Sequence, residues 1–160
     1  MTALASWLLL VLFVAAQGVA LGAGMYEQRI VVPQWFGRDA NGDPYLREEA
    51  MRAADTGRRF WGFVTTGPLT LLVLISIVAA VRTPGPAQAW WLGSAVIALL
   101  ERCATLGYFI TTAIRLMRAQ HPVPSALAVE ALQWGNFNRL RIALSAVAYV
   151  LGMLALAPPG

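Results

Sequence analysis

The chain has no lysine, one histidine and one cysteine, and only 12% of its 160 residues are charged. Each scarcity excludes something. The lone Cys103 cannot close an internal disulfide, and one histidine with one cysteine falls short of the usual zinc and copper ligand sets. A soluble domain normally carries about 25% charged residues. A chain that is 58% hydrophobic, with mean hydropathy +0.61, does not fit that class. A Gly-rich phosphate loop and a Ser-His-acid set are also missing. The Glu-x-x-His pair of carboxylate bundles is absent, because Ala104 follows Glu101 by three positions and Gln133 follows Glu130. A carboxylate set of Glu27, Glu101 and Glu130 has no diagnostic spacing. No metal and no cofactor is expected.

What the chain does contain is long apolar runs. A bilayer core of about 30 Å takes about 20 mostly apolar residues in a helix, and four runs of that length occur at about 4–24, 60–81, 90–117 and 137–157. They lack the period-two alternation of membrane barrel strands, so the expected fold is all-α: one polytopic membrane domain, a four-transmembrane-helix bundle. The first run has no basic flank and exceeds the apolar length of a signal peptide, which reads as a retained helix. Its Gly18 and Gly22 have the GxxxG spacing that lets a neighbouring backbone approach.

Residues 26–59 form a polar cap between the first two runs, with six arginines and six of the eight acids. Asn41, Gly42, Asp43 and Pro44 read as a turn that starts a helix, with Asp43 as its N-cap and Pro44 at the first helical position. Glu48 and Asp55 stand four residues before Arg52 and Arg59, a spacing that supports helical ion pairs. Asp39, Asn41 and Asp43 mimic a calcium loop, but Pro44 and Ala50 occupy its Gly and Glu positions. The Pro84-Gly85-Pro86 turn makes the second and third spans antiparallel neighbours. His121 reads as a loop residue beside Pro122, and Ser125 as the cap of a helix running into the fourth span.

Ten arginines lie in or beside the first and third connections, against Arg82 alone on the opposite side. The positive-inside rule then places those connections in the cytoplasm of a multi-pass protein of the cell inner membrane, with both termini outside. Arginines between apolar runs do not form a nucleic-acid surface, and no nucleic-acid partner is expected.

Ionisable residues inside spans are costly and face the bundle interior. Glu101 aligns at helical spacing with Thr105, Tyr108, Thr112 and Arg115, while Arg102 points about 100° away. Glu101 reads either as a desolvated base for an apolar ligand or as half of a buried pair with Arg102, Arg115, Arg141 or Arg29. Trp134, Asn138, Arg141 and Ser145 share a face of the fourth helix. There Trp134 also reads as an interfacial anchor and Arg141 as a snorkelling side chain. A pocket lined by Gln17, Glu27, Glu101, Tyr108, Trp134, Asn138 and Arg141 collects these groups near the end of the first helix, where Tyr26 and Glu27 lie.

Gly22-Ala23-Gly24-Met25-Tyr26-Glu27 with Val31-Val32-Pro33-Gln34-Trp35, and the Trp-x-x-x-Asn-x-x-Arg pattern of Trp134, Asn138 and Arg141, resemble a family of small four-helix bacterial membrane proteins of unknown function that includes the anthrone-oxygenase-like proteins. The resemblance implies oxygenation of a polycyclic phenolic substrate without a cofactor. Glu101 or Glu27 is then the base, Trp134 a stacking wall, and Asn138 with Arg141 the oxyanion stabilisers, beside Tyr26 and Tyr108 as substrate contacts. Two functions follow as expectations. The first is binding or turnover of a lipophilic small molecule drawn from membrane lipid. The second is a non-enzymatic subunit, acting as a scaffold, binding or transport accessory, with another membrane protein or a second copy of the chain as partner.

Overall fold

The computed structural model describes residues 2–42, 44–119 and 125–157. It is a helical bundle in which four helices are long and apolar enough to cross a membrane: Ala3–Trp35, Gly57–Arg82, Gln88–Met117 and Ala126–Leu156. Within them, α1 is Ala3–Tyr26, α3 Pro68–Arg82, α4 Gln88–Ala104, α5 Ile110–Met117 and α6 Ser125–Leu156, and the short α2, Glu48–Ala54, lies in the cap. α1 packs on α3 and α6, and α4 packs on the same two helices, which closes a four-membered ring.

Local chemistry sets the ends. Thr2 caps α1 by accepting from the Ala5 amide at 3.3 Å. Pro68 starts α3, where a missing N–H costs nothing. After the short turn at residues 83–87, Gln88 Nε2 donates back to the Ala80 carbonyl at 3.1 Å, which fixes α3 and α4 as antiparallel neighbours. α6 runs unbroken from Ser125, as the sequence suggests.

The interior is made of small side chains. Ser76, Ala79, Ala80, Ser94, Ala95, Ala98 and Ala148 are essentially inaccessible, with Phe13, Leu69 and Val73 between them. Small residues let backbones approach, and helices without a hydrophobic drive between them associate this way. The contacts are specific: Ser94 Oγ donates to the Ala148 carbonyl at 2.6 Å, and a Cβ at Gly152 would lie 2.8 Å from Val14. Gly18 has Tyr149 against it, whereas Gly22 has nothing within 4 Å. Only half of the GxxxG spacing therefore serves a helix contact. The large apolar residues Leu8, Leu12, Leu71, Ile75, Leu100, Leu140 and Val150 are on the outside.

Three sequence expectations about the cap and the third span are corrected. Pro44 does not open a helix. It begins strand β2, Pro44–Leu46, which pairs antiparallel with β1, Phe36–Arg38, with Phe36 opposite Leu46. Gly42 in the turn adopts φ +86°, and the Asp43 expectation lies outside the described residues, as do those on His121 and Pro122. The cap helix begins at Glu48, pairs Glu48 with Arg52 at 3.7 Å, and ends where Asp55 turns left-handed at φ 40°. That break puts Asp55 on Arg58, at 2.9 Å, instead of Arg59. Finally, Thr105–Phe109 is a π-helical turn. Its extra residue rotates everything after it. The buried face beyond Glu101 runs Thr105, Phe109, Thr112, Leu116, while Tyr108 is half-buried and Arg115 exposed.

Candidate functional site

Three helices and the cap bring four charged groups together. Glu101 and Arg102, adjacent on α4, form an ion pair: Nη2 donates to Oε1 at 2.7 Å, with both side chains 4% exposed. The π-helical turn begins three residues later. Thr105 Oγ1 donates to the Glu101 carbonyl at 2.8 Å and links the pair to that turn. Arg102 keeps Nε and Nη1 without a partner among the described residues.

Glu27, also buried, follows the last residue of α1. Its Oε1 accepts from Trp61 Nε1 at 2.9 Å and from Thr56 Oγ1. Trp61 lies in the π-helical segment Gly57–Thr66 that leads into α3, so this carboxylate ties the cap to the bundle. Arg141 of α6 reaches between the two acidic centres. Its Cζ sits 5.5 Å from the Trp61 ring centroid and 4.9 Å from that of Phe109, a double cation–π contact. Glu101, Glu27 and Arg102 are its charged neighbours. With two carboxyl groups and two guanidines the cluster has a formal charge count of zero.

Two struts hold Phe109 and α6 in place. Trp134 Nε1 donates to the Phe109 carbonyl at 3.1 Å, and its ring packs 5.5 Å from Trp35 and 5.8 Å from Phe109. Asn138, fully buried, donates to Gln28 Oε1 at 2.7 Å and pins α6 to the turn after α1.

Beside the cluster lies a groove of about 330 Å³, at the small end of ligand-site volumes. Leu100, Glu101, Ala104, Tyr108 and Phe109 form one wall, and Phe137, Leu140, Arg141 and Leu144 the other. The surface it presents is apolar. Leu100, Phe137 and Leu140 are 63%, 51% and 58% exposed, so the groove opens sideways on the outer face of the bundle. Tyr108 packs edge-on against Phe137 at 5.6 Å across it.

Of the residues expected at the site, Glu101, Tyr108 and Arg141 meet in the groove. Glu27 joins them only through Trp61 and Arg141. Trp134 and Asn138 do not line it: they are buried struts, and Trp134 is no interfacial anchor. Arg141 turns inward to two rings instead of snorkelling. Tyr26 is 63% exposed and does not line the groove. Gln17 is buried without an amide partner among the described residues and does not line the groove either. Glu130 pairs with Arg115, and among the described residues no three His, Cys, Asp or Glu side chains stand together as a metal set. Trp61 and Phe109 escaped the sequence reading, because an aromatic residue in an apolar run carries no mark of the cation it will meet. The groove wall of Phe137, Leu140, Arg141 and Leu144 has helical spacing, but lipid-facing residues share that signal.

Comparison of the chain with protein-family models, curated proteins and solved structures finds no match.

Proposed function

We propose that the chain is a multi-pass inner-membrane protein, its arginine-rich cap in the cytoplasm, that binds an uncharged lipophilic molecule drawn sideways from the bilayer. One observation carries this reading: an apolar groove, rimmed by exposed Leu100, Phe137 and Leu140, opens on the outer face of the bundle directly over Glu101 and Arg141. Large apolar side chains outside and small ones inside support the membrane setting. The neutral charge count beneath the groove favours an uncharged ligand, because a buried net charge would need a new counter-ion. The groove also weighs against a pure scaffold, whose polar stripes would close on each other and leave no space.

The test is photolabelling in reconstituted vesicles with an apolar diazirine probe, followed by peptide mapping. Labelling should concentrate on Leu100, Ala104, Leu140 and Leu144, and Ala104→Trp should suppress it. Even labelling of every exposed leucine, unchanged by Ala104→Trp, would overturn the reading.

A catalytic extension is favoured by one feature, the presence of Glu101 and Arg141 in the same lining. In the cofactor-independent oxygenation that the family resemblance implies, Glu101 takes a proton from the substrate and Arg141 faces the resulting oxyanion. Loss of turnover in Glu101→Gln together with Arg102→Gln, with ligand binding retained, is the expected result; full turnover would remove Glu101 from that role.

A further inference from the structure

Cross-helix contacts fix the relative heights of the helices. At one end Ser6 Oγ lies 3.4 Å from Thr83 Oγ1, beside the exposed Arg82. At the other, Glu27 is bonded to Trp61 and Gln28 to Asn138. Arg29, Arg59 and Arg139 are each within two residues of one of those contacts, so three arginines from three different chain segments stand at one height. All three are exposed, and none makes an ion pair or side-chain hydrogen bond among the described residues. Of the other cap arginines, Arg38 donates to the Gly42 carbonyl, Arg52 to the Met117 carbonyl, and Arg58 pairs with Asp55, whereas Arg47 of the cap and Arg118 after α5 are exposed without a side-chain partner among the described residues but are not next to these cross-helix contacts.

The spacing between the two ends is telling. From Ser6 to Arg29 the chain climbs 23 residues, which at about 1.5 Å each is about 34 Å. A hydrocarbon core is about 30 Å thick, and ordinary helix tilt shortens the climb further. Within that interval the exposed surface is apolar, from Leu8, Leu12 and Val19 on α1 to Leu140, Val147 and Val150 on α6. Each charged side chain inside it, namely Glu27, Glu101, Arg102 and Arg141, is buried or half-buried. The tier of free arginines thus falls where lipid head groups begin.

We propose that Arg29, Arg59 and Arg139 form a collar that binds anionic phospholipid head groups of the leaflet on the cap side. The proposal rests on the membrane reading above. A guanidinium presents its donors as a planar fork matched to phosphate oxygens, and basic residues near an anionic leaflet contribute additively. The collar sets the depth of the bundle. Arg141, two residues from Arg139 on the unbroken α6, then lies about 3 Å below the collar. The groove, lined on α6 from Phe137 to Leu144, thereby spans from the head groups into the upper acyl chains of that leaflet.

The experiment uses the full chain in nanodiscs of phosphatidylcholine with one third phosphatidylglycerol, followed by native mass spectrometry of the lipids retained on release. Wild type should retain phosphatidylglycerol preferentially, with each arginine contributing up to about fivefold. R29Q/R59Q/R139Q should lose the preference, whereas R82Q should keep it. If the triple variant does not fold, the three single variants should each lower it stepwise. Equal retention of both lipids by wild type, or an unchanged preference in these variants, overturns the collar. Failure of the chain to incorporate into nanodiscs overturns the membrane reading itself, a separate outcome.

Discussion

Trp61 binds Arg141 with its face and Glu27 with its edge: the guanidinium carbon lies 5.5 Å from the ring centroid while the indole N–H donates to the carboxylate at 2.9 Å. The hydrogen bond to an anion enriches the ring that the cation sits on. A charge on α6 and a charge after α1 are thereby coupled through an aromatic side chain, without a direct ion pair between them among the described residues.

That coupling is measurable. A double-mutant cycle between Arg141→Gln and Trp61→Leu should give an interaction free energy of about 1–2 kcal/mol, the range of a desolvated cation–π contact. Additive losses of thermal stability in detergent would show that the two side chains act independently.

Glu101 and Arg102 form a buried pair, and removing one member leaves the other charge uncompensated. Glu101→Gln should therefore destabilise the bundle by about 3–5 kcal/mol. The double variant Glu101→Leu with Arg102→Met should recover most of that loss. Wild-type stability in the single variant would mean that Arg102 finds water or another acceptor.

Close packing of α6 on α1 requires Gly152. Its Cβ would lie 2.8 Å from a Val14 methyl and 3.3 Å from Ser94 Oγ, so Gly152→Ala should cost about 1–3 kcal/mol by overpacking. Gly22→Ala, with nothing within 4 Å, should cost nothing or stabilise slightly through helix propensity. Adding Val14→Ala to Gly152→Ala should restore stability. Equal melting of the two glycine variants would contradict this packing.

Trp134 supports the π-helical turn through its bond to the Phe109 carbonyl. Trp134→Phe keeps most of the ring packing and removes that bond, at an expected cost of about 1 kcal/mol. The groove beside Phe109 should loosen as well, read as faster hydrogen exchange at Thr105–Phe109. Unchanged exchange there would contradict a supporting role.

The four long helices were legible because each is a long apolar run without the period-two alternation of strands. Their ends were less so: the first helix continues through Glu27–Trp35 as π-helical and 3-10 turns, where Glu27, Gln28, Arg29 and Pro33 interrupt the apolar run and read as the start of the cap. The cap hairpin carried an Asn-Gly turn signal, but Pro44 next to it fits a helix start equally well, and only the pairing of Phe36 with Leu46 decides. Glu101, Tyr108 and Arg141 were recognisable as polar groups inside spans. Their neighbours in the groove were not, because a leucine facing lipid and a leucine facing a ligand look alike. The polar stripe after Glu101 failed for a definite reason, since a 3.6-residue period cannot anticipate the extra residue of the turn at Thr105–Phe109.

The groove itself is tested most directly by native mass spectrometry of the protein extracted gently from its own membrane, with wild type and Ala104→Trp measured side by side. A stoichiometric uncharged lipophilic molecule on wild type, lost when the tryptophan fills the groove, is the expected result. A wild-type chain carrying no such molecule, or the same molecule retained by Ala104→Trp, would contradict a ligand site between α4 and α6.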